Sequence, residues 1–246
     1  MTADMAKGPD GGDWRNLYGR MRGKTLRAAQ KVALADDLGP LTLQGVARAD
    51  NPGREPLDLA GLFAGRTVWL EVGFGGGEHL VAMAARYPDL ALIGAEPFVN
   101  GIAMLLRRVQ AAGVANLALH PGDVRDLFDV LPAGSIGRMF LNYPDPWPKL
   151  RHHRRRFVTQ DYLRPLARVM APGAELRLAT DIPDYVRQAL IEVPLAGFAL
   201  LRGPDGRAWD DWPSTRYEQK ALRDGRQPLY LTFQRRAEVD PPADPS

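Results

Sequence analysis

From residue 66 onward, short apolar runs alternate with amphipathic stretches, and this rhythm constrains the fold more than any other feature of the chain. RTVWLEV (66–72), ALIGAE (91–96), NLALHPGD (116–123), GRMFLNYP (137–144) and AELRLATD (174–181) read as strands, with FALLR (198–202) and PLYLTFQRR (228–236) closing the series. GGEHLVAMAARYP (76–88), FVNGIAMLLRRVQAAG (98–113), RFVTQDYLRPLARVMAPG (156–173) and PDYVRQALIEV (183–193) read as the helices between them. Such alternation builds βαβ units, hence a parallel sheet with helices on both faces. Residues 1–14 and 238–246 are expected to be disordered tails, 15–63 a basic arm followed by a loop-rich region, and 64–237 the folded domain.

In a sheet of this kind ligands bind outside the carboxyl ends of the strands. The residues to interrogate are therefore Glu71–Gly77, Glu96, Asp123, Asn142–Trp147 and Thr180–Asp181. EVGFGGGEHL (71–80) runs from strand through glycines Gly73, Gly75 and Gly77 into a helix, and glycines let backbone approach a ligand closely. The dinucleotide pattern G-x-G-x-x-G fails here, because Glu78 stands where its third glycine belongs. Glu71 and Glu78 would repel a pyrophosphate but not a cofactor bearing an ammonium group. S-adenosylmethionine has an amino-acid head, a sulfonium and no phosphate. Glu96 stands where an acid accepts from ribose hydroxyls, and Asp123 could accept from an adenine amino group. Each acid alone could equally be a helix cap. Three acids ending successive strands favour a site for S-adenosylmethionine.

FLNYPDPWPKLRHHRRRFV (140–158) follows the fourth long strand, where a methyl acceptor would meet that cofactor. Pro144 and Pro146 stiffen the backbone around Asp145, and Trp147 can stack on a base. Lys149, Arg151, Arg154, Arg155 and Arg156 follow without an acid. Arg15 to Lys31 likewise holds six Lys/Arg and no acid. Two such blocks point to a polyanion partner. The chain has no cysteine, which excludes disulfides and thiolate chemistry, and its four histidines lack metal-ligand spacing, so no metal is expected. No apolar run approaches a membrane span and the N-terminal residues lack a signal-peptide core, which favours a cytoplasmic location.

EVGFGGGEHL, AEPFVNGI, HPGDV, NYPDPWPKLRHHRRRFV, LATDIPDYV and STRYEQKAL resemble, in order and separation, the bacterial tRNA (guanine-N7-)-methyltransferase family. YGRMRGKTLRAAQ (18–30) resembles that family's basic N-terminal stretch, so the likeness spans about residues 15 to 235. It implies an α/β, Rossmann-like class I methyltransferase fold with an antiparallel C-terminal strand. It also implies transfer of a methyl group from S-adenosylmethionine to N7 of guanosine 46 in the tRNA variable loop. By position it assigns Glu71, Gly73, Gly75, Gly77, Glu96, Asp123 and Asp145 to the cofactor or active site. Lys149 and Asp181, with Thr215, Arg216, Tyr217 and Glu218, would contact substrate, and Arg151, His152, His153, Arg154, Arg155 and Arg156 would contact RNA. A monomer is expected, with a dimer as the alternative.

Guanine N7 carries an in-plane lone pair and no proton, so transfer to it needs no base. Asp145 is then expected to orient guanine and offset the charge that develops on the ring. Two other readings of the same pattern are a non-catalytic RNA-binding module and an NAD-dependent dehydrogenase. Acids at four strand ends argue against the first, and the broken glycine pattern against the second.

Overall fold

The computed structural model describes residues 15–237. The expected tails, 1–14 and 238–246, lie outside the described residues. Three short helices, α1 (Ala28–Asp36), α2 (Leu38–Leu41) and α3 (Leu59–Leu62), precede the alternating region. There follow β1 (Val68–Val72), α4 (Glu78–Arg86), β2 (Ala91–Ala95), α5 (Val99–Ala112), β3 (Leu117–His120), α6 (Val124–Val130) and β4 (Ile136–Asn142). A 3₁₀ segment (Leu150–Arg155) leads to α7 (Gln160–Val169), β5 (Met170–Thr180), α8 (Pro183–Leu195), β6 (Phe198–Asp205), α9 (Arg216–Arg223) and β7 (Leu229–Arg235).

The seven strands form one sheet in the order β3-β2-β1-β4-β5-β7-β6. β1 to β5 pair in parallel, and β7 runs antiparallel between β5 and β6. Successive side chains of a strand face opposite ways, and both faces are covered. Leu70, Ile93, Met139 and Leu176 pack with Phe128, Leu166 and Tyr185 on one face. Trp69, Leu92 and Phe140 pack with Leu80, Met83 and Leu105 on the other. The strand order reverses between β1 and β4, so the ends of those strands, Val72 and Asn142, mark the switch point where a ligand is expected.

Several helices depart from the sequence expectation. The GDV turn read as the tail of β3 instead starts α6, because the Asp123 carboxylate caps it by accepting from the Arg125 amide at 2.9 Å, while Leu127 and Phe128 bury its apolar side. The polar segment Arg216–Arg223 is helical because Thr215 caps it and Glu218 and Ala221 turn inward. Part of the N-terminal basic stretch is α1, which packs on α5. The helix expected from Arg156 starts only at Gln160, and β5 begins at Met170. Among the described residues no helix is long and apolar enough to cross a membrane.

Candidate active site

Between β1 and α4 the chain turns through Gly73, Gly75 and Gly77, all in the left-handed region at φ 71°, 54° and 78°. Gly77 is the N-cap of α4, and a Cβ there would lie 2.5 Å from Leu105 Cδ1 of α5. A Cβ on Gly101 of α5 would run into the Gly75 carbonyl. Glycine is therefore required where two helices and the turn meet backbone to side chain.

Glu96, just past β2, binds this turn from the other side. Its carboxylate accepts from the Gly75 N–H at 2.7 Å and the Phe98 N–H at 2.9 Å, and the residue is 7% exposed. Burial pushes its pKa up, and the two backbone donors oppose that rise. Each oxygen keeps a lone pair for a further donor. Glu71 is placed differently. Its carboxylate is buried 2.7 Å from His79 Nδ1, with Asn142 Nδ2 at 3.4 Å, and it does not line the cavity at the strand ends.

That cavity has a volume of about 400 Å³ and is lined by Gly73, Gly75, Glu96, Asp123, Asp145 and Trp147 among others. Asp123 lines it while capping α6 and holding the Arg125 guanidinium, with Arg125 Nε 3.1 Å from both carboxylate oxygens. Asp145 stands at the rim with solvent on one side, while the protein on the other side partly desolvates its carboxyl and raises its pKa, opposed by the positive charge of Arg20. The loop carrying Asp145 is strained: Tyr143 and Trp147 sit at φ 49° and 40°, unusual for bulky side chains.

The basic run does not act as one surface. Lys149, Arg151 and Arg154 are exposed. Arg155 instead lines the cavity, its guanidinium 5.0 Å from the Trp147 ring and 5.1 Å from the Tyr18 ring. His152 packs edge-on to Trp147 at 5.9 Å, and its pKa is lowered by desolvation and by the charges of Arg155, Arg151, Lys149 and Arg154. His153 Nε2 lies 3.2 Å from Asp184. Arg156 departs from the expected RNA contact, because its side chain is fully buried and hydrogen-bonded inside the protein.

The expected substrate segment also divides. Tyr217 lines the cavity, and Arg216 stacks on its ring at 4.9 Å. Thr215 and Glu218 point inward: Thr215 caps α9, and Glu218 accepts from the Trp212 indole at 3.1 Å and from the Tyr230 hydroxyl. Asp181 is held by Arg226 and does not line the cavity.

Sequence reasoning missed the wall formed by Leu17, Tyr18, Gly19 and Arg20, which belong to the N-terminal arm. The arm is tied to α5 through Val99 N–H to the Met21 carbonyl (3.0 Å) and through Asn100, which bonds the Gly23 N–H and the Lys24 carbonyl, both at 2.7 Å. Arg15 anchors it to α6 through Asp129 at 2.8 Å and Asp126 at 3.4 Å. A run of basic residues carries no signal that separates such an arm from a free one. Tyr162 also lines the cavity, under the Arg125 guanidinium at 4.7 Å, with its pKa pushed up to about 12 by burial.

Residues 65–231 match the model of a family described as "Putative methyltransferase". The tRNA (guanine-N(7)-)-methyltransferase of Cereibacter sphaeroides is 69% identical over 226 residues, covering 92% of this chain and 93% of that protein. The protein of the same name from Paracoccus denitrificans is 65% identical over 91% of this chain and 96% of its own length. That of Rhodospirillum rubrum is 44% identical over 93% and 90%. Among solved structures, a tryptophan-to-alanine mutant of the 16S rRNA (adenine(1408)-N(1))-methyltransferase from Catenulisporales acidiphilia, with cosubstrate SAM, superposes with a TM-score of 0.55 at 20% identity, over 74% of this chain and 92% of that one. The 16S rRNA methyltransferase KamB gives 0.55 at 19%, over 74% and 95%, and both likenesses speak to the fold. At this level of identity across nearly the whole length, the chain belongs to the tRNA (guanine-N(7)-)-methyltransferase family.

Proposed function

We infer that this protein transfers a methyl group from S-adenosylmethionine to N7 of guanine in tRNA, at position 46 of the variable loop. The observation that carries the reading is one cavity holding Glu96, Asp145 and Trp147 together, with the exposed cations Lys149, Arg151 and Arg154 just beyond Trp147 in the chain. A cavity of about 400 Å³ at a sheet switch point is of the size that holds a nucleoside-sized ligand. The residues fit this cofactor: acids, not a phosphate cradle, surround the glycine turn, and Glu96 retains acceptor capacity for ribose hydroxyls.

Bound there, S-adenosylmethionine supplies an electrophilic methyl group on a sulfonium. The chain's own residues do the rest. The glycine turn and Glu96 fix the cofactor's ribose, and Asp123 borders the adenine end. Trp147, with Arg155 and Tyr18 beside it, offers a flat face for guanine. Asp145 accepts from the N1–H and 2-amino group of guanine and offsets the positive charge that N7 methylation puts on the ring. No group needs to remove a proton from N7, so alignment supplies most of the rate. Lys149, Arg151 and Arg154, with the arm cations Arg20, Arg22, Lys24 and Arg27, hold the phosphates. The catalytic domain is residues 64–237, with 15–63 as an accessory arm, and the protein acts as a cytoplasmic monomer.

The test is incubation with methyl-labelled S-adenosylmethionine and unmodified tRNA, followed by nucleoside analysis and mapping. Label in 7-methylguanosine at position 46 is expected. Label in another nucleoside, or none, would overturn the reading, and 7-methylguanosine elsewhere in tRNA would overturn the position.

A further inference from the structure

Arg156 ends the basic run, yet none of its side chain reaches solvent. Its Nε donates to the Pro146 carbonyl at 2.8 Å, and Nη2 lies 2.8 Å from the Asp184 carboxylate. Nη1 donates to the Gln188 side-chain oxygen at 3.0 Å, and Nη2 makes a longer contact of 3.5 Å to the Trp147 carbonyl. The guanidinium lies 5.3 Å from the ring of Tyr185, itself fully buried. Every partner belongs either to the Pro146–Trp147 backbone or to α8. Asp184, at the head of α8, lies 3.2 Å from His153 of the 3₁₀ segment as well.

We propose that Arg156 is a positioning residue for methyl transfer: it ties the Asp145–Trp147 loop to α8 and does not touch RNA. This inference rests on the reading of Asp145 and Trp147 as the working residues of the site. The loop needs such a tie. Tyr143 and Trp147 hold left-handed backbone conformations, which persist only where surrounding structure over-determines them. The carbonyls of Pro146 and Trp147, which flank the Trp147 Cα, are gripped by a planar fork whose other edge is fixed on a helix. Lysine cannot reproduce this, because its ammonium is a single point and not a fork. The same burial denies Arg156 to a phosphate, since reaching one would mean abandoning all these partners. The basic run thus divides its labour: Arg151 and Arg154 face solvent, Arg155 faces the cavity, and Arg156 holds the geometry.

The experiment compares Arg156→Lys with Arg154→Ala and Asp145→Ala in the full-length protein, with tRNA and S-adenosylmethionine. Turnover at saturating substrates, KM for tRNA and the salt dependence of tRNA affinity are measured well below the unfolding temperature. Arg156→Lys should lose about tenfold to a hundredfold in turnover, while its KM and salt slope stay at the parent's values. Arg154→Ala should flatten the slope by about 0.7 to 0.9. Parental turnover in Arg156→Lys with a raised KM for tRNA would overturn the proposal. If that variant does not fold, Asp184→Asn is read the same way: reduced turnover with an unchanged slope supports the tie, and parental turnover refutes it. Parental turnover in Asp145→Ala would strike the reading of the site. Parental turnover in Arg156→Lys beside a crippled Asp145→Ala strikes only the tie.

Discussion

Consider Glu96→Gln. In the parent protein each carboxylate oxygen accepts one backbone N–H, from Gly75 and from Phe98. An amide has one oxygen, so one of those donors would face an NH₂ group instead, and the ribose of the cofactor would lose a charged acceptor. A hydrogen bond to a charged group is worth about 1.5–3 kcal/mol, so the cofactor's Kd should rise about tenfold to 150-fold. The pH dependence sharpens the test. Burial raises the pKa of Glu96, so between its ordinary and its raised value the folded protein holds more protons than the unfolded chain. Its contribution to stability therefore falls as pH rises through that window. Ribose hydroxyls donate to the ionised form, so cofactor binding should tighten as pH rises through the same window and release a proton. Calorimetry from mildly acidic to neutral pH, in buffers of different ionisation enthalpy, measures both effects. Glu96→Gln should bind weakly and lose this pH dependence. Parental affinity at neutral pH, or a pH slope identical to the parent's, would refute the role of Glu96.

Gly77→Ala places a side chain in the left-handed region and against Leu105. Strain of about 1–3 kcal/mol, at roughly 2–4 °C per kcal/mol, should lower the unfolding temperature by several degrees. An unchanged melting curve would show that the α4–α5 junction yields. Asp145→Asn presents a donor to guanine's own donors, so turnover should fall by more than charge removal alone implies, with cofactor affinity near normal. Transfer to tRNA carrying inosine at the target should be poor for the parent and no poorer, relative to guanosine, for Asp145→Ala. A variant that keeps the parent's preference removes Asp145 from guanine recognition. In the arm, Arg15→Ala should leave the salt slope of tRNA affinity unchanged, because Arg15 is committed to Asp129, whereas Arg22→Ala should flatten it by about 0.7 to 0.9. A slope flattened in Arg15→Ala as well would mean that the ion pair opens when RNA binds, and a parental slope in Arg22→Ala that Arg22 meets no phosphate.

The strands were legible because parallel strands covered on both faces are near-continuous apolar runs, as Ala91–Ala95 shows by being buried throughout. The strand-end cavity was legible because a parallel sheet opens a crevice at its switch point, and Glu96, Asp123 and Asp145 line one cavity there. α9 was not, since RYEQKALR has little apolar surface and its inward side includes a glutamate satisfied by Trp212 and Tyr230, partners on other segments. Nor was the division within RHHRRR. Periodicity cannot separate Arg155 from Arg156 when the difference is a 3₁₀ turn ending at the first of them. One local clue existed: Arg156 directly precedes Phe157 and the buried Val158, where the chain re-enters the core. Glu71 illustrates another gap, a strand-end acid one of whose carboxylate oxygens lies 2.7 Å from His79 Nδ1 on the next helix, a partner that the strand pattern does not announce.

The arm that walls the cavity also offers exposed cleavage points to trypsin at Arg20, Arg22, Lys24 and Arg27. A protease needs an extended, detached segment, so cutting there requires Val99 and Asn100 to release the backbone they hold. When reclosing outpaces cleavage, the rate of nicking reports the population of the detached arm. A ligand that fills the cavity and touches Tyr18 must slow that nicking in proportion to its occupancy. The digestion pattern of this one stretch is thus a binding assay that needs neither labelled cofactor nor methyl transfer.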